Sequence, residues 1–194
     1  MPPILLEKYL AAAETITERA LGTTQVNLVS GEVTGGQALE SGARILTSAG
    51  EIRTKVRMTG QGDYLIRVRA YGDQAGDEPV KMGVHFDNNT VRVVGVAAAE
   101  GHEQVYEVWH KSKGGEHVVS VTFDNDFYEP DRPAPNDRNL YVRTIELMGP
   151  YPPTYGKLIA QARPGDDKQV LARNVLEGFM TRAFRRPATS VEVD

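Results

Sequence analysis

The 194-residue chain contains no cysteine. That absence excludes disulfides, thiolate metal sites, cysteine nucleophiles and covalent haem attachment within this sequence. Histidine is sparse too. His85, His102, His110 and His117 are scattered through strands or turns, which disfavours zinc. No apolar run approaches the roughly 20 residues that span a bilayer. Glu7 and Lys8 interrupt the N-terminal MPPILLEKYL, so it does not read as a signal peptide. Charge of one sign is also lacking. The formal net charge is −4, which gives no general attraction for phosphate backbones or anionic lipid. The only compact basic cluster is Arg182, Arg185 and Arg186. Lys113-Gly-Gly-Glu116 reads as a hairpin turn and not a phosphate loop, since no Lys-Ser/Thr follows.

What is present suits one ordinary globular domain with short flanking elements. The hydrophobic fraction is 40% and the charged fraction 25%. Three zones follow. In residues 1–22, Leu6, Tyr9, Leu10, Ala13, Ile16 and Ala20 recur at helical spacing and predict an amphipathic helix that Gly22 stops. Residues 23–150 read as β throughout. Glu51 to Met58 alternates with Ile52, Val56 and Met58 on one side, and Asp63 to Ala70 with Tyr64, Ile66 and Val68. Five further runs continue the pattern: 81–86, 90–96, 104–109, 117–123 and 140–147. Many short alternating strands predict an antiparallel β-sandwich of jelly-roll type, with one flanking helix at each end. Trp109, in an alternating strand, is expected in the core. Residues 151–194 begin with a proline-rich connector. A helix then runs from Asp167 to Arg186, with Leu171, Val175, Phe179 and Ala183 on one face. Asp166 or Asp167 caps its start and Pro187 ends it. Both termini look like cuts through a longer chain.

Two segments of the β zone are too polar for plain turns. Residues 71–79 carry Asp73, Asp77 and Glu78. Residues 124–139 carry Asp124, Asp126, Glu129, Asp131 and Asp137, with prolines at 130, 133 and 135 that limit the entropy lost on ordering. Clustered carboxylates repel one another unless a cation offsets them. Calcium, which takes 6–8 oxygen ligands from carboxylates, carbonyls and water, suits such loops. Loops at one end of a sandwich can meet, so both segments can serve one site. The alternative is a solvated acidic loop, and no EF-hand spacing is present.

The run Gly62-Asp-Tyr-Leu-Ile-Arg-Val-Arg-Ala-Tyr-Gly-Asp-Gln-Ala-Gly-Asp-Glu78, with Phe123-Asp-Asn-Asp-Phe-Tyr128 and Asp137-Arg-Asn-Leu-Tyr-Val142, resembles the calcium-dependent xylan-binding carbohydrate-binding modules over roughly residues 26–150. The flanks Leu5 to Glu14 and Ala183 to Pro187 resemble segments of large planctomycete-type multidomain proteins that often carry a cytochrome c domain. The chain would then hold the end of one domain (1–22), the binding sandwich (23–150), and a linker with the start of the next domain (151–194). Its partners would be a polysaccharide and the neighbouring domains, and its location extracytoplasmic.

The resemblance implies a calcium ion in loops at one edge of the sandwich, its shell completed by two neighbouring sugar hydroxyls. Carried over, Asp126 and Asp137 would supply carboxylate oxygens, Asn136 a backbone carbonyl, and Glu78 a further ligand. Asp77 and Tyr128 would contact sugar. Arg138 and Asn139 belong to the motif, in sugar contact or in holding the loop. The proline-rich insert between Asp126 and Asp137 departs from the family pattern and puts the xylan preference in question. Two other readings are an architectural, calcium-stapled interdomain module and a small glycoside hydrolase. The hydrolase would use paired carboxyls such as Asp126 with Asp137 or Asp77 with Glu78. Carboxylates that hold calcium stay ionised and make poor general acids, so the expectation is a binding module and not an enzyme.

Overall fold

The computed structural model describes residues 7, 8, 11, 15, 27–29, 31–151, 167–187 and 189. The chain divides into two compact units: Thr24–Tyr151, and Met1–Thr23 together with Pro152–Asp194.

The first unit is built of two antiparallel sheets. One runs β3(Gln37–Ala38)–β4(Arg44–Leu46)–β12(Asp137–Tyr151)–β6(Gly62–Asp73)–β9(Gln104–Ser112), with β1(Asn27–Val29) and β11(Phe127–Tyr128) also pairing with β12. The other runs β2(Val33–Gly35)–β5(Glu51–Met58)–β10(Gly115–Phe123)–β7(Val80–Phe86)–β8(Asn89–Val96). The core fills from both sheets, as period-two side-chain alternation requires. Ile52 and Val56 of β5 meet Ile66 and Val68 of β6, Met82 and Val84 of β7, Val119 and Val121 of β10, and Leu140 and Leu147 of β12 in one buried cluster. Each such side chain contributes about 1.5–3 kcal/mol by leaving water.

Strand β12 shows how the core keeps its register. Leu140 and Val142 point inward, and so do Ile145 and Leu147, three residues on from Val142. A bulge against β6 between Val142 and Thr144 resets the parity. An extra residue at a bulge lets two inward runs of opposite phase share one strand.

Trp109 departs from the sequence expectation. Tyr106 and Val108 of β9 take the core positions, while Trp109 is half-buried outside that cluster and packs edge-on against Tyr151 at 5.1 Å. Alternation allows only one parity of β9 to face inward, and the even residues fill it.

In the second unit, α1(Lys168–Phe184) starts at Asp167, whose side chain accepts from the Gln169 amide at 2.7 Å. It ends at Arg185 in the left-handed conformation, two residues before Pro187. Of its expected apolar face, Val175 is half-buried; the side chains of Leu171, Phe179 and Ala183 lie outside the described residues. Glu7, Lys8, Ala11 and Thr15 are helical, and the rest of the expected N-terminal helix lies outside the described residues. Among the described residues no helix is long and apolar enough to cross a membrane.

Candidate functional site

The two polar segments of the sequence reach one end of the sandwich because the strands deliver them there. β6 ends at Asp73 beside β12, where Asn139 pairs with Asp73 in register. β10 ends at Phe123, and the chain returns through β11 into β12, with Tyr128 opposite Asp137 and Phe127 opposite Arg138. The stretch 129–136 is a closed excursion. The Glu129 amide donates to the Asn136 carbonyl at 2.9 Å, and the Arg132 amide to the Glu129 carbonyl at 3.1 Å. The proline-rich insert is thus the tip of a β11–β12 hairpin.

Arg138 joins the two segments. It is buried, 4% exposed. Its Nε donates to the Ala75 carbonyl at 2.9 Å, Nη2 donates to the same oxygen, and Nη1 donates to the Asn125 carbonyl at 2.7 Å. The guanidinium also lies 5.2 Å from the centre of the Phe127 ring. Gly76 makes room for it, since a Cβ there would lie 2.8 Å from Nη2. Asn125 adds a second tie. It accepts the Lys81 amide at 2.6 Å and donates to the Pro79 carbonyl at 2.9 Å. Arg138 therefore positions both loops, and its polar atoms are committed to the backbone.

Asp73, Asp137, Asn139 and Tyr141 form the polar centre of this end. Asn139 is 7% exposed. Its Nδ2 donates to Asp73 Oδ2 at 3.0 Å and to Asp137 Oδ2 at 3.3 Å. Its Oδ1 is buried with no hydrogen-bond partner. Tyr141 donates to the same Asp73 oxygen at 2.9 Å and stacks on Tyr71 with ring centres 4.5 Å apart. Burial and the neighbouring Asp73 raise the Tyr141 phenol well above its ordinary pKa, so it remains a hydrogen-bond donor.

The remaining expected residues lie around this centre. Glu78 is exposed and bonded to Lys81 at 2.7 Å; that bond and the lysine charge lower its pKa. Asp77 is 98% exposed at its side chain, 3.9 Å from Arg132, which also lies 3.7 Å from Glu129. Asp126 and Tyr128 are exposed, and Asn136 is half-buried with its carbonyl already accepting from Glu129. The acids of the two loops are thus partly offset by Lys81 and Arg132. Among the described residues no three histidine or acidic side chains come together as a metal cluster. Asp137 is the expected ligand that reaches the polar centre; Glu78 is drawn toward Lys81. An oxygen-seeking ion here would have to draw on amide and backbone oxygens as well as carboxylates. The unpartnered Asn139 Oδ1 is an amide oxygen of the kind calcium uses, while the Nδ2 of the same amide holds the two carboxylates.

Sequence reasoning named Asp73 among the loop acids but assigned it no role, and it gave Asn125 none. The one signal for Asn125 is its place between Asp124 and Asp126, where an amide readily caps a turn.

A β-sandwich with a polar, loop-built end of this kind is compatible with a sugar-binding module. The model of the family CBM60, described as a Ca-dependent, xylan-binding carbohydrate-binding module, matches residues 65–154. That is somewhat under half of the chain and runs from β6 through β12, so it includes both loops. The match supports a carbohydrate-binding module. Among solved structures, a family 35 carbohydrate-binding module from Clostridium thermocellum is 14% identical, with 60% of this chain and 97% of that one covered at a TM-score of 0.41. The CBM35 of Cellvibrio japonicus Abf62 is 12% identical over 66% and 91%, TM-score 0.41. The CBM36-1 domain of a multidomain xylanase from the hindgut metagenome of Trinervitermes trinervoides is 8% identical over 63% and 95%, TM-score 0.45. No curated protein matches the chain.

Proposed function

We propose that the sandwich is a non-catalytic, calcium-dependent polysaccharide-binding module whose binding end is the junction of residues 73–80 and 124–139. The observation that carries the reading is the buried Asn139 amide, whose Nδ2 bridges the carboxylates of Asp73 and Asp137 and whose Oδ1 has no partner. A buried polar atom without a partner costs about 1–3 kcal/mol, and a cation at this place would remove that cost. Asp137 and Asn139 would hold the ion, with Asp73, Asp126 and carbonyls of the loops, Asn136 among them, as further oxygen donors. Bound calcium would supply exchangeable positions that a vicinal diol can take. The protein's part is to keep the loops in place through Arg138 and Asn125, and to offer the exposed Tyr128 ring and Asp77 carboxylate to the sugar. The family match supports a xylan-like ligand. The module would work outside the cytoplasm, with residues 1–22 belonging to the end of one neighbouring domain and residues 151–194 to a linker and the start of another.

One observation favours a second reading. The Arg138 and Asn125 bonds show that the two loops are fastened to each other, and an ion that only adds to this fastening would make the module architectural. Titration calorimetry with xylo- and galacto-oligosaccharides, in calcium and in EDTA, separates the readings. Binding in calcium that EDTA and Asp137→Ala both abolish, with no product released, is expected. A calcium-induced rise in Tm with no heat from any sugar supports the staple. Release of shorter oligosaccharides would overturn the non-catalytic assignment.

A further inference from the structure

The opposite end of the same sandwich carries a second polar constellation that the loop site does not use. A cavity of about 450 Å³ opens there, lined by Lys55 and Arg57 of β5, Glu116 and His117 of β10, and Asp87 of the β7–β8 turn. That volume is in the range of small-ligand sites. β10 runs from this cavity to the loop site. His117 and Asp124 are seven residues apart, or roughly 23 Å along an extended strand.

Arg53, Lys55 and Arg57 alternate along the outward face of β5, all exposed. Among the described residues, none of the three side chains forms an ion pair or hydrogen bond. Arg57 stands opposite Glu116 in register, yet the two are not joined. Elsewhere on the sandwich Arg67, Lys81, Lys111, Arg132 and Arg143 lie within 4 Å of an acid, whereas Arg69, Arg92 and Lys113, among the described residues, do not. Asp87 does not neutralise the cavity's cations, because its carboxylate faces elsewhere: Oδ1 accepts the Val118 amide at 2.9 Å, and Oδ2 lies 2.6 Å from His117 Nδ1. The other ring nitrogen of His117 lies 3.1 Å from the Gly114 carbonyl. That nitrogen also lies 3.3 Å from the Ser112 hydroxyl, and the doubly protonated, cationic ring can donate to Asp87 and to the Gly114 carbonyl together. Its raised pKa agrees: burial opposes the charge, but Asp87 and the Gly114 carbonyl outweigh it.

We propose that this cavity is a second, calcium-independent glycan site that takes an acidic sugar unit, with its carboxylate or sulfate on Lys55 and Arg57 and its hydroxyls on Glu116. Glu116, an acceptor beside the cations, suits sugar hydroxyls, and a ligand unit with a single anionic group meets less repulsion from it than a polyphosphate would. The anion, not the sugar ring, supplies most of the affinity, so binding is salt-sensitive. The choice of a glycan rests on the carbohydrate-binding reading of the sandwich; the anion preference rests on the cavity alone.

The test uses the full chain in EDTA, with oligogalacturonate as the carboxylate probe, a sulfated galactan oligosaccharide as the sulfate probe and xylohexaose as the neutral control. At 50 mM NaCl one or both acidic probes bind and xylohexaose does not. Raising NaCl to 0.5 M, or the exposed double substitution Lys55→Ala/Arg57→Ala, weakens that binding about tenfold or more. Asp137→Ala leaves it unchanged. Circular dichroism checks that each variant is folded, and Lys55→Arg retains binding. If neither acidic probe binds in EDTA, or if the double variant binds as the parent does, the proposal is overturned. It is equally overturned if Asp137→Ala removes the acidic ligand, because the anion would then sit in the loop site. Loss of calcium-dependent xylohexaose binding with acidic binding intact would refute the loop-site reading and leave this one standing.

Discussion

Replacing Arg138 should do more damage than any other single change at the loop end. Its guanidinium donates three hydrogen bonds to two carbonyls, those of Ala75 and Asn125, from a residue only 4% exposed. Charge-assisted bonds are worth about 1.5–3 kcal/mol each, which would sum to several kcal/mol. Burying the cation without a carboxylate offsets part of that sum. The Phe127 contact at 5.2 Å returns about 0.5–2 kcal/mol. Arg138→Ala leaves the carbonyl of fully buried Ala75 unpaired, at about 1–3 kcal/mol, and opens a void under Phe127. A net loss of about 3–5 kcal/mol follows. For a sandwich of this size it should lower Tm by about 10–20 °C. Arg138→Lys keeps the charge but has no planar fork, so one carbonyl loses its partner and about half of the loss remains. Urea denaturation gives the energies, and amide exchange at Ala75 and Gly76 locates the effect. The reasoning fails if Arg138→Ala unfolds within about 0.5 kcal/mol of the parent, or if lysine restores stability in full.

Three further outcomes are expected. His117 has a raised folded pKa, so its stabilising contribution is complete below its ordinary value near 6.5 and disappears as pH climbs through the raised one. Asp87 has a lowered pKa because the Val118 amide and His117 outweigh its burial, so its contribution is lost only as pH falls below its ordinary range. Urea stability of the parent should therefore decline above about pH 6.5 relative to His117→Asn, and a flat difference would refute the pairing. Gly72→Ala places a methyl 2.5 Å from Val80 Cγ2 and 2.8 Å from the Asn139 carbonyl; it should destabilise by about 1–3 kcal/mol in denaturant melts and weaken ligand binding at the loop end. Tyr141 should ionise later than the ordinary phenols because burial and Asp73 oppose its anion. Tyr71 and Tyr106 are raised by burial as well, so Tyr141→Phe should shrink the late component of an ultraviolet pH titration without abolishing it.

The strands were legible because side-chain parity is written directly into the sequence. Ile52, Val56 and Met58 alternate in β5, and Tyr64, Ile66 and Val68 in β6; both sets face the core as expected. Parity alone could not assign Trp109, since β9 offers apolar residues on both sides and the choice belongs to the opposing sheet. Nor could it place the bulge after Val142, which is a property of the β12–β6 pair and not of either strand. At the loop end, a count of carboxylates suggested an ion, but sequence does not show which acids have cationic neighbours. Lys81 lies three residues from Glu78, and Arg132 three from Glu129. The Asp73–Asn139 pairing joins residues 66 apart, so it becomes visible only with the register. Arg138 was expected in the motif, and its burial among backbone carbonyls is likewise a tertiary fact.

The two ends of the sandwich are chemically opposite, and their separation gives that contrast a consequence. The loop end gathers oxygen acceptors around Asp73, Asp137 and Asn139, while the far end leaves Lys55 and Arg57 unpaired beside a doubly bonded His117. Adjacent, the two sets would neutralise each other by ion pairing. Roughly 23 Å of β10 lies between them, well over the Debye length of about 8 Å at physiological salt. Neither field reaches the other. If both proposed sites bind, occupancy of one should accordingly leave the affinity of the other unchanged, and one polysaccharide would be held at two points. The gain from doing so is set by the distance between the two points, with no conformational coupling required.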